Sequence, residues 1–376
     1  MLAPGQEPIY LWMRERPRAG PVLKIFQVGA YPPPYGGVTV HLMRLHDHLR
    51  REGMDSTIID LSPGPKRVPG VLNLSWPEAD AYLAGSPRSV VHFHAFDPAH
   101  AWRYARLSRR HVTVLSLHNE RFGQDLEAVH PLRRLLARRR LRRLHCVVVD
   151  SEHCKKIAAR VWGENADIRL IPEFIPPAEI PALDHPGLAA LRARCRHLLA
   201  SSAWRVSFHD GQDLYGLDML VELLRRLVHD RQMDVGLAVL LPTVGDEAYF
   251  GALTGRVESL GLGARCLFVN EPIVEASSLW READLVIRAT NTDGNSLTVQ
   301  EALALGVPVV ASDCVERPAG ALLFRTRDQD DLTDRVARLL ADRPPTREPR
   351  PAGAGNAPAF VALYEDLGRK WRNGDV

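Results

Sequence analysis

Short apolar segments alternate with amphipathic segments along most of the chain. In the first half, apolar and β-branched runs predict strands at 22–28, 57–61, 90–94, 112–117, 146–150 and 168–171. Between these runs, apolar residues at helical spacing predict helices at 38–52, 98–109, 131–143 and 152–162. In the first of these helices, Val40, Met43 and Leu49 are expected to face the core. Strands that alternate with helices are typical of a parallel sheet covered on both faces.

A proline-rich segment at 172–181 interrupts this alternation and predicts a linker between two domains. Beyond it, strands are predicted at 197–203, 235–241, 266–269, 285–289, 308–312 and 321–324. Helices are predicted at 217–231, 249–260, 276–283, 297–305 and 328–341. Residues 343–358 are rich in proline, glycine and alanine and predict a second linker before a last amphipathic helix at 358–371. Two such domains predict a ligand cleft between them, at the carboxyl ends of the strands.

The composition narrows the class of protein. The 376 residues suffice for two or three domains, and 45% apolar and 25% charged residues are typical of a soluble globular protein. No apolar run approaches the roughly 18 residues that span a bilayer, and the N-terminus lacks the pattern of a secretory signal. The five cysteines are scattered without C-x-x-C spacing, which predicts reduced thiols in the cytoplasm and no structural zinc site. The net charge of +3 is too small to indicate a nucleic-acid-binding protein.

Two adjacent glycines, Gly36 and Gly37, follow the first strand and directly precede a helix. Glycines let the backbone approach a ligand closely, and a helix N-terminus offers free N–H groups to a phosphate. A tight turn demanded by packing is the alternative explanation. The dinucleotide pattern G-x-G-x-x-G is absent, which disfavours NAD or FAD binding.

A second loop, residues 291–296, lies between a predicted strand and a predicted helix. Asp293 is in this loop, and Glu301 follows it within the helix. Their carboxylates can accept hydrogen bonds from sugar hydroxyls, and the amides from Gly294 to Ser296 can bind phosphate or hexose oxygens. The alternatives are a turn or helix-cap role for Asp293 and a solvated helix position for Glu301.

These motifs resemble those of the family-4 retaining glycosyltransferases, which have the GT-B fold. That family has a Glu, then after seven residues Glu-Ala, and then a short strand that ends in Ser-Asp. The corresponding residues here are Asp293, Glu301-Ala302 and Ser312-Asp313. Further matches, from about Lys24 to Trp371, are Gly36-Gly37, His118, Asp150-Ser151-Glu152 and Ile171-Pro172.

The resemblance implies two Rossmann-like βα domains that face a central cleft, with the C-terminal helix crossing back to the first domain. Residues 1–20 are then a flexible tail. Residues 21–175 with 357–376 form the acceptor domain, and residues 176–345 form the nucleotide-sugar donor domain.

The resemblance also implies roles for individual residues. Glu301 would bind the ribose hydroxyls of the donor, Asp293 would contact the hexose, and Gly37 would approach the diphosphate. His118 would lie near the reacting centre. The expected catalytic residues are His118, Asp293 and Arg205. The expected donor-binding residues are Gly36, Gly37, Arg288, Gly294, Asn295, Ser296, Leu297 and Glu301.

The family also has an Arg and a Lys-Gly pair that neutralise the leaving diphosphate. Arg205 fits the arginine, but Tyr215 precedes Gly216 where the lysine is expected, and no lysine occurs between residues 156 and 370. We therefore expect another arginine, Arg288 or Arg317, to supply the charge. The alternatives are that Arg288 is paired structurally with Asp293 or Asp313, or that catalysis is impaired.

The function implied is retaining transfer of a hexose from a nucleotide diphosphate sugar, with UDP favoured, to a hydroxyl acceptor. The acceptor would be a saccharide, a lipid-linked saccharide or a small metabolite, in polysaccharide, glycolipid or glycosylated-metabolite biosynthesis. No cofactor, metal or nucleic acid is expected. The alternatives are a catalytically impaired subunit that binds a sugar nucleotide or glycan, and another enzyme of this fold, such as a sugar phosphorylase.

Two further features have open interpretations. His92 and His94 lie on one face of a predicted strand, but no third ligand is evident, so cleft-lining or core positions are favoured over a metal site. Residues 131–143 carry seven arginines, with an apolar side formed by Leu135, Leu136 and Leu141. A solvated helix face is the favoured interpretation, and peripheral contact of residues 132–143 with the inner membrane face is the alternative.

Overall fold

Two parallel β-sheets form the framework of the protein. The computed structural model describes residues 24–33, 35–64, 66–118, 121–271, 273, 275–294, 296–342 and 355–374. The predicted tail at 1–20, the loop residue Asn295 and most of the second linker lie outside the described residues.

The first sheet has seven described strands, all parallel to their neighbours. They are β1 (Ile25–Gly29), β2 (Ser56–Asp60), β3 (Val71–Asn73), β4 (Val90–Phe93), β5 (Val112–Leu117), β6 (Cys146–Val149) and β7 (Ile168–Leu170). Their spatial order is β3-β2-β1-β4-β5-β6-β7. The strands β4, β5 and β6 are buried along their whole length because helices cover both faces of the sheet.

The helices between these strands run back across the sheet. They are α1 (Gly37–Arg51), α2 (Trp76–Gly85), α3 (Ala101–Leu107), α4 (Arg121–Glu127), α5 (Pro131–Leu141) and α6 (Glu152–Trp162). The helix α6 begins after Ser151, whose side chain accepts a hydrogen bond from the Cys154 N–H as an N-cap.

The second sheet has six described strands in the order β12-β11-β8-β13-β14-β15. The elements of this half are α7 (Pro186–Arg194), β8 (His197–Ser202), β9 (Phe208–His209), β10 (Gln212–Asp213), α8 (Leu217–Arg225), β11 (Val235–Leu240), α9 (Glu247–Ser259), β12 (Cys266–Val269), α10 (Ser277–Glu282), β13 (Leu285–Arg288), α11 (Leu297–Ala304), β14 (Val309–Ser312), β15 (Leu322–Phe324) and α12 (Gln329–Asp342). The strands β9 and β10 form a separate antiparallel hairpin.

The last helix, α13 (Ala357–Asn373), returns to the first sheet, as the resemblance implied. Its residues Phe360 and Tyr364 are fully buried in the cluster that covers one face of β1, β4, β5 and β6. The hydroxyl of Tyr364 accepts a hydrogen bond from Gln27 Nε2 at 2.9 Å and lies 2.6 Å from His92 Nδ1. Apolar burial and a buried polar network therefore both fix the C-terminal helix on the N-terminal half.

The structure corrects several sequence-based predictions. In α1 only Leu49 of the three expected core residues is buried, because Val40 lies on the side of the helix that faces the cleft and Met43 is half-buried. The predicted helix at 217–231 is α-helical only as far as Arg225, and Arg226–Asp230 form a wider π-helical turn. The short elements β3, α2, α4, α7, β9 and β10 were not predicted.

None of the helices in the described part of the chain combines the length and apolar character needed to cross a membrane.

Candidate active site

A cleft of about 340 Å³ lies between the two sheets and is lined by residues from both halves of the chain. The cleft brings together nine of the predicted site residues: Gly36, Gly37, His118, Arg288, Asp293, Gly294, Ser296, Leu297 and Glu301. These residues lie at or after the carboxyl ends of β1, β5 and β13 or in the first two turns of the helices that follow, which is where ligands bind in parallel sheets.

The two glycines at the start of α1 border open space. Gly36 has φ −153°, which any residue adopts, and a Cβ added there would meet no atom within 4 Å. A Cβ on Gly37 would lie 4.0 Å from Leu297 Cδ1, at the start of α11. Packing within the protein therefore does not require glycine at position 36, and two helix N-termini face each other across the cleft.

The carboxylate of Glu301 is buried and bonded to two other side chains. Arg44 Nη2, from α1, lies 2.7 Å from Glu301 Oε1 and 2.7 Å from Glu275 Oε1. Trp280 Nε1 donates to Glu301 Oε2 at 2.7 Å. Arg44 also donates to the carbonyl of Ile175 in the predicted interdomain linker. The carboxylate expected to bind a ribose thus holds a guanidinium from the opposite side of the cleft.

The charges around Glu301 do not balance, because two carboxylates share one guanidinium. Burial raises the pKa of Glu301, and the attraction of Arg44 does not offset this because Glu275 lies beside the same guanidinium. Sequence reasoning did not identify Arg44 or Glu275. One signal was present: Arg44 occupies the apolar stripe of α1, between the buried Leu42 and Leu45.

Asp293 is bonded to two arginines. It lies 2.8 and 2.9 Å from Arg288 Nε and Nη2, and 2.8 Å from Arg317 Nη1. Burial alone would raise the pKa of Asp293, but the two guanidinium groups outweigh it and lower the pKa to about 2. The ionised carboxylate and two guanidinium groups leave one net positive charge beside the cleft. The structural pairing of Arg288 with Asp293 is therefore present, and Asp313 instead bonds Thr326.

Tyr215 lies in the cleft where the resemblance expects a lysine. The guanidinium of Arg288 lies over its ring, 5.3 Å from the ring centroid. The next residue, Gly216, has φ 67°, and a Cβ there would lie 2.4 Å from the Ala289 carbonyl oxygen. The glycine is required by the backbone, while a guanidinium occupies the region beside the tyrosine ring.

The structure does not bring Arg205 into the cleft. Its side chain is exposed, and its guanidinium stacks on the Trp204 ring at 4.6 Å from the centroid. Trp204 itself lines the cleft, so Arg205 borders the site from outside.

His118 is the outermost member of a buried group of imidazoles. Its Nδ1 lies 2.9 Å from Glu173 Oε1, and its ring lies 5.4 Å from that of His41 and 5.5 Å from that of His94. The His41 Nδ1 atom bonds the carbonyl oxygen of Glu173 at 2.7 Å. The linker residue Glu173 therefore bonds His41 through its carbonyl and places its carboxylate beside His118, and of these two imidazoles His118 lines the cleft.

His92 and His94 are core residues, as the favoured interpretation held. His92 lies 2.7 Å from Ser116 Oγ, and His94 lies 2.5 Å from Gln27 Oε1. Burial lowers the pKa of both imidazoles well below the ordinary value, and it lowers that of His41 to about 4. Within the described ranges, no three His, Cys, Asp or Glu side chains are arranged to hold a metal ion.

Comparison with protein families gives matches in both halves of the chain. Residues 35–179 match the family described as "Glycosyltransferase Family 4". Residues 208–342 match the family described as "Glycosyl transferases group 1". The first match contains Gly36, Gly37 and His118, and the second contains the Asp293 loop and Glu301.

Two curated proteins are similar to part of the chain. A lipopolysaccharide core biosynthesis mannosyltransferase, LpsB of Rhizobium meliloti, is 30% identical over 184 residues, which cover 44% of this chain and 50% of that protein. A D-inositol 3-phosphate glycosyltransferase of Nocardia farcinica is 32% identical over 148 residues, or 35% of this chain and 31% of that protein. The chain thus spans half or less of the length of these relatives.

Solved structures share the fold over almost the whole chain. Anabaena HepE in complex with UDP-glucose has a TM-score of 0.64 at 15% identity and covers 93% of this chain and 99% of its own. Sucrose-phosphate synthase from Thermosynechococcus elongatus has a TM-score of 0.61 at 17% identity, covering 93% and 98%. Glycosyltransferase family models match both halves of the chain, and solved structures share its fold over almost the whole length. The chain therefore belongs to glycosyltransferase family 4 and has the GT-B fold.

Proposed function

We propose that the protein is a retaining glycosyltransferase that transfers a hexose from a UDP-sugar to a hydroxyl acceptor. The observation that carries this proposal is the approach of two helix N-termini across the cleft, where a Cβ added to Gly37 would lie 4.0 Å from Leu297 Cδ1. Free N–H groups and the positive end of the helix dipole favour a phosphate at each of them. A diphosphate between α1 and α11 uses both.

The rest of the donor follows from this position of the diphosphate. Ribose hydroxyls bond Glu301 by displacing the guanidinium of Arg44, which keeps its contact with Glu275. The hexose lies against the loop of Gly294 and Ser296, whose backbone can bond sugar oxygens. The main role of Asp293 is to support this loop, because both of its carboxylate oxygens already accept hydrogen bonds from arginines.

Arg288 supplies the positive charge that the missing lysine would provide. Arg288 and Arg317 share the single carboxylate of Asp293, so these three side chains together carry one net positive charge beside Tyr215. A cation here stabilises the negative charge that builds on the leaving diphosphate as the bond from the sugar C1 to the phosphate oxygen breaks.

The transfer itself needs no protein base. The acceptor oxygen bonds to C1 on the face that the diphosphate leaves, and its proton passes to the departing phosphate oxygen. His118, whose ring lies beside the Glu173 carboxylate, positions hydroxyl groups at this point. Closure of the two domains would exclude water and protect the donor from hydrolysis.

The names of the relatives support the substrate classes. HepE binds UDP and UDP-glucose in its crystal structures, which supports a UDP-sugar donor. LpsB is a mannosyltransferase of the lipopolysaccharide core, which supports a hexose donor and a saccharide acceptor.

Thermal unfolding with UDP, GDP or ADP tests the proposal. A nucleotide at 100 times its dissociation constant adds about 2.7 kcal/mol, which for one domain raises the melting temperature by about 2–4 °C per kcal/mol. We expect UDP to give this shift and Glu301→Ala to lose it, while Glu301→Gln keeps the side-chain volume as the folding control. No shift with any nucleotide would refute the proposal.

Two companion measurements separate the alternatives. A sugar-nucleotide-binding subunit would show the UDP shift but would not consume any of a panel of UDP-sugars offered with saccharide acceptors. A phosphorylase would be stabilised by inorganic phosphate and by free sugars, and not by UDP.

A further inference from the structure

The helix α5 exposes three leucines to solvent. The exposed fractions of Leu132, Leu135 and Leu136 are 69%, 66% and 51%, the highest of the large apolar side chains in the described part of the chain. Their spacing, i, i+3 and i+4, places them on one face of the helix. The sequence suggested that Leu135 and Leu136 would share an apolar side with Leu141, but only Leu141 and Ala137 are buried.

The same helix carries a dense positive charge. Residues 131–143 contain no acidic residue and seven arginines: Arg133, Arg134, Arg138, Arg139, Arg140, Arg142 and Arg143. Among the ion pairs within the described ranges, none involves these arginines. Arg139 follows Leu132 by seven residues and Arg140 follows Leu136 by four, so the exposed stripe is apolar at its start and cationic at its end. Arg142 and Arg143 follow the end of the helix.

The leucine end of α5 lies toward the cleft. Parallel strands put the end of β5, and with it His118, at the cleft edge of the sheet. Trp162, the last residue of α6, donates to the carbonyl of Leu141 at 3.0 Å, so α5 ends at the opposite edge, where β7 begins. Its first turn, with Leu132, therefore points toward the side of the sheet where the acceptor enters.

We propose that α5 docks on an anionic phospholipid membrane, with the three leucines inserted at the interface and the arginines on the lipid phosphates. Apolar insertion combined with basic residues is how interfacial helices bind such surfaces. Since no ion pair within the described ranges neutralises these seven arginines, their charge favours an anionic surface over a neutral one. Resting on the proposed function, this docking presents the cleft to a lipid-borne hydroxyl acceptor.

Flotation with vesicles tests the docking without any donor or acceptor, so failure of the proposed function does not affect it. Vesicles of phosphatidylcholine alone are compared with vesicles containing 30% phosphatidylglycerol. We expect binding only to the anionic vesicles. Each arginine contributes about five-fold to the partition constant, so Arg139→Glu with Arg140→Glu should lower it by at least about 25-fold. Leu132→Ser with Leu135→Ser and Leu136→Ser should lower it by about ten-fold or more.

The matched control is Arg109→Glu with Arg194→Glu, two exposed arginines outside α5. It makes the same change in net charge and should retain binding better than the α5 variant. The exposed positions leave the melting temperature of all variants near that of the wild type. Three results would overturn the proposal: no binding to anionic vesicles, equal loss in the control and α5 variants, or a dimer that the leucine variant dissociates while vesicles remain unbound.

Discussion

The guanidinium of Arg44 lies 2.7 Å from a carboxylate oxygen of Glu301, although the two residues are 257 positions apart. This contact crosses the cleft, since α1 belongs to the first sheet and α11 to the second. Glu275 lies at the same distance from the same nitrogen. The two halves of the chain are thus joined by buried charges at the place where we propose that the donor ribose binds.

Replacing Arg44 by Met should destabilise the protein. Glu275 and Glu301 would remain buried without the guanidinium they share, and breaking a buried ion pair in this way costs about 3–5 kcal/mol. Urea unfolding measures this loss. Adding Glu275→Gln to the Arg44→Met variant removes one of the two stranded charges and should recover part of the stability. A loss below about 1 kcal/mol would mean that Arg44 is not structurally important.

Gly36→Ala should impair donor binding without affecting the fold. A methyl group there meets no protein atom within 4 Å, but it would project into the space proposed for the diphosphate. We expect an unchanged melting temperature and at least a ten-fold weaker UDP affinity by calorimetry. Gly216→Ala is the contrasting variant, because its Cβ would lie 2.4 Å from a backbone oxygen and its φ is positive. The Gly216→Ala variant should therefore lose stability. Equal UDP affinity in Gly36→Ala and the wild type would exclude a diphosphate at the N-terminus of α1.

Arg288→Ala should lower kcat by about 100- to 1,000-fold, the effect of removing one charge-stabilising group from a transition state. Arg288→Lys keeps the charge but not the bidentate bond to Asp293, so it should retain intermediate activity. The measurement is steady-state turnover of the UDP-sugar that stabilises the wild type. Arg205→Ala is the matched control: it removes an exposed guanidinium outside the cleft and should have little effect. A larger loss in Arg205→Ala than in Arg288→Ala would restore the role that the resemblance implied for Arg205.

The sequence predicted the regular elements well wherever their signals were strong. The strands Val112–Leu117 and Cys266–Val269 and the helix Glu152–Trp162 have the predicted bounds, because apolar runs and apolar residues at helical spacing define them. The strand Val71–Asn73 is too short to show a period, and the helix Trp76–Gly85 buries only two side chains. The apolar residues of neither segment form a period that identifies the element without the surrounding fold.

Within the site, the sequence located the loops but not their pairings. Gly37, Asp293 and Glu301 follow strands or begin helices, and parallel topology alone brings such positions to one edge. The partners of Glu301 depend on how the two domains pack, which no local pattern contains. The pairing of Asp293 with Arg288 was an open alternative, because a separation of five residues allows it without requiring it.

The buried histidines should make the protein sensitive to mild acid. Burial lowers the pKa of His41 to about 4 and those of His92 and His94 well below the ordinary value, so these imidazoles stay neutral in the folded protein at mildly acidic pH. In the unfolded chain they take up protons below about pH 6.5. Stability present above that pH is therefore lost as the pH falls toward 4, by about 1.4 kcal/mol per pH unit for each imidazole.

Urea unfolding between pH 7 and pH 4.5 measures this slope, and His41→Met isolates one imidazole. The variant removes an imidazole that binds a proton only in the unfolded state between these pH values. Its free energy of unfolding should therefore fall less steeply than that of the wild type as the pH is lowered. His130→Met, which removes an exposed imidazole before α5, is the matched control. If His41→Met kept the full wild-type slope, His41 would have to be protonated in the folded protein. Its ring would then bring a buried positive charge next to Glu173 and His118, which line the cleft.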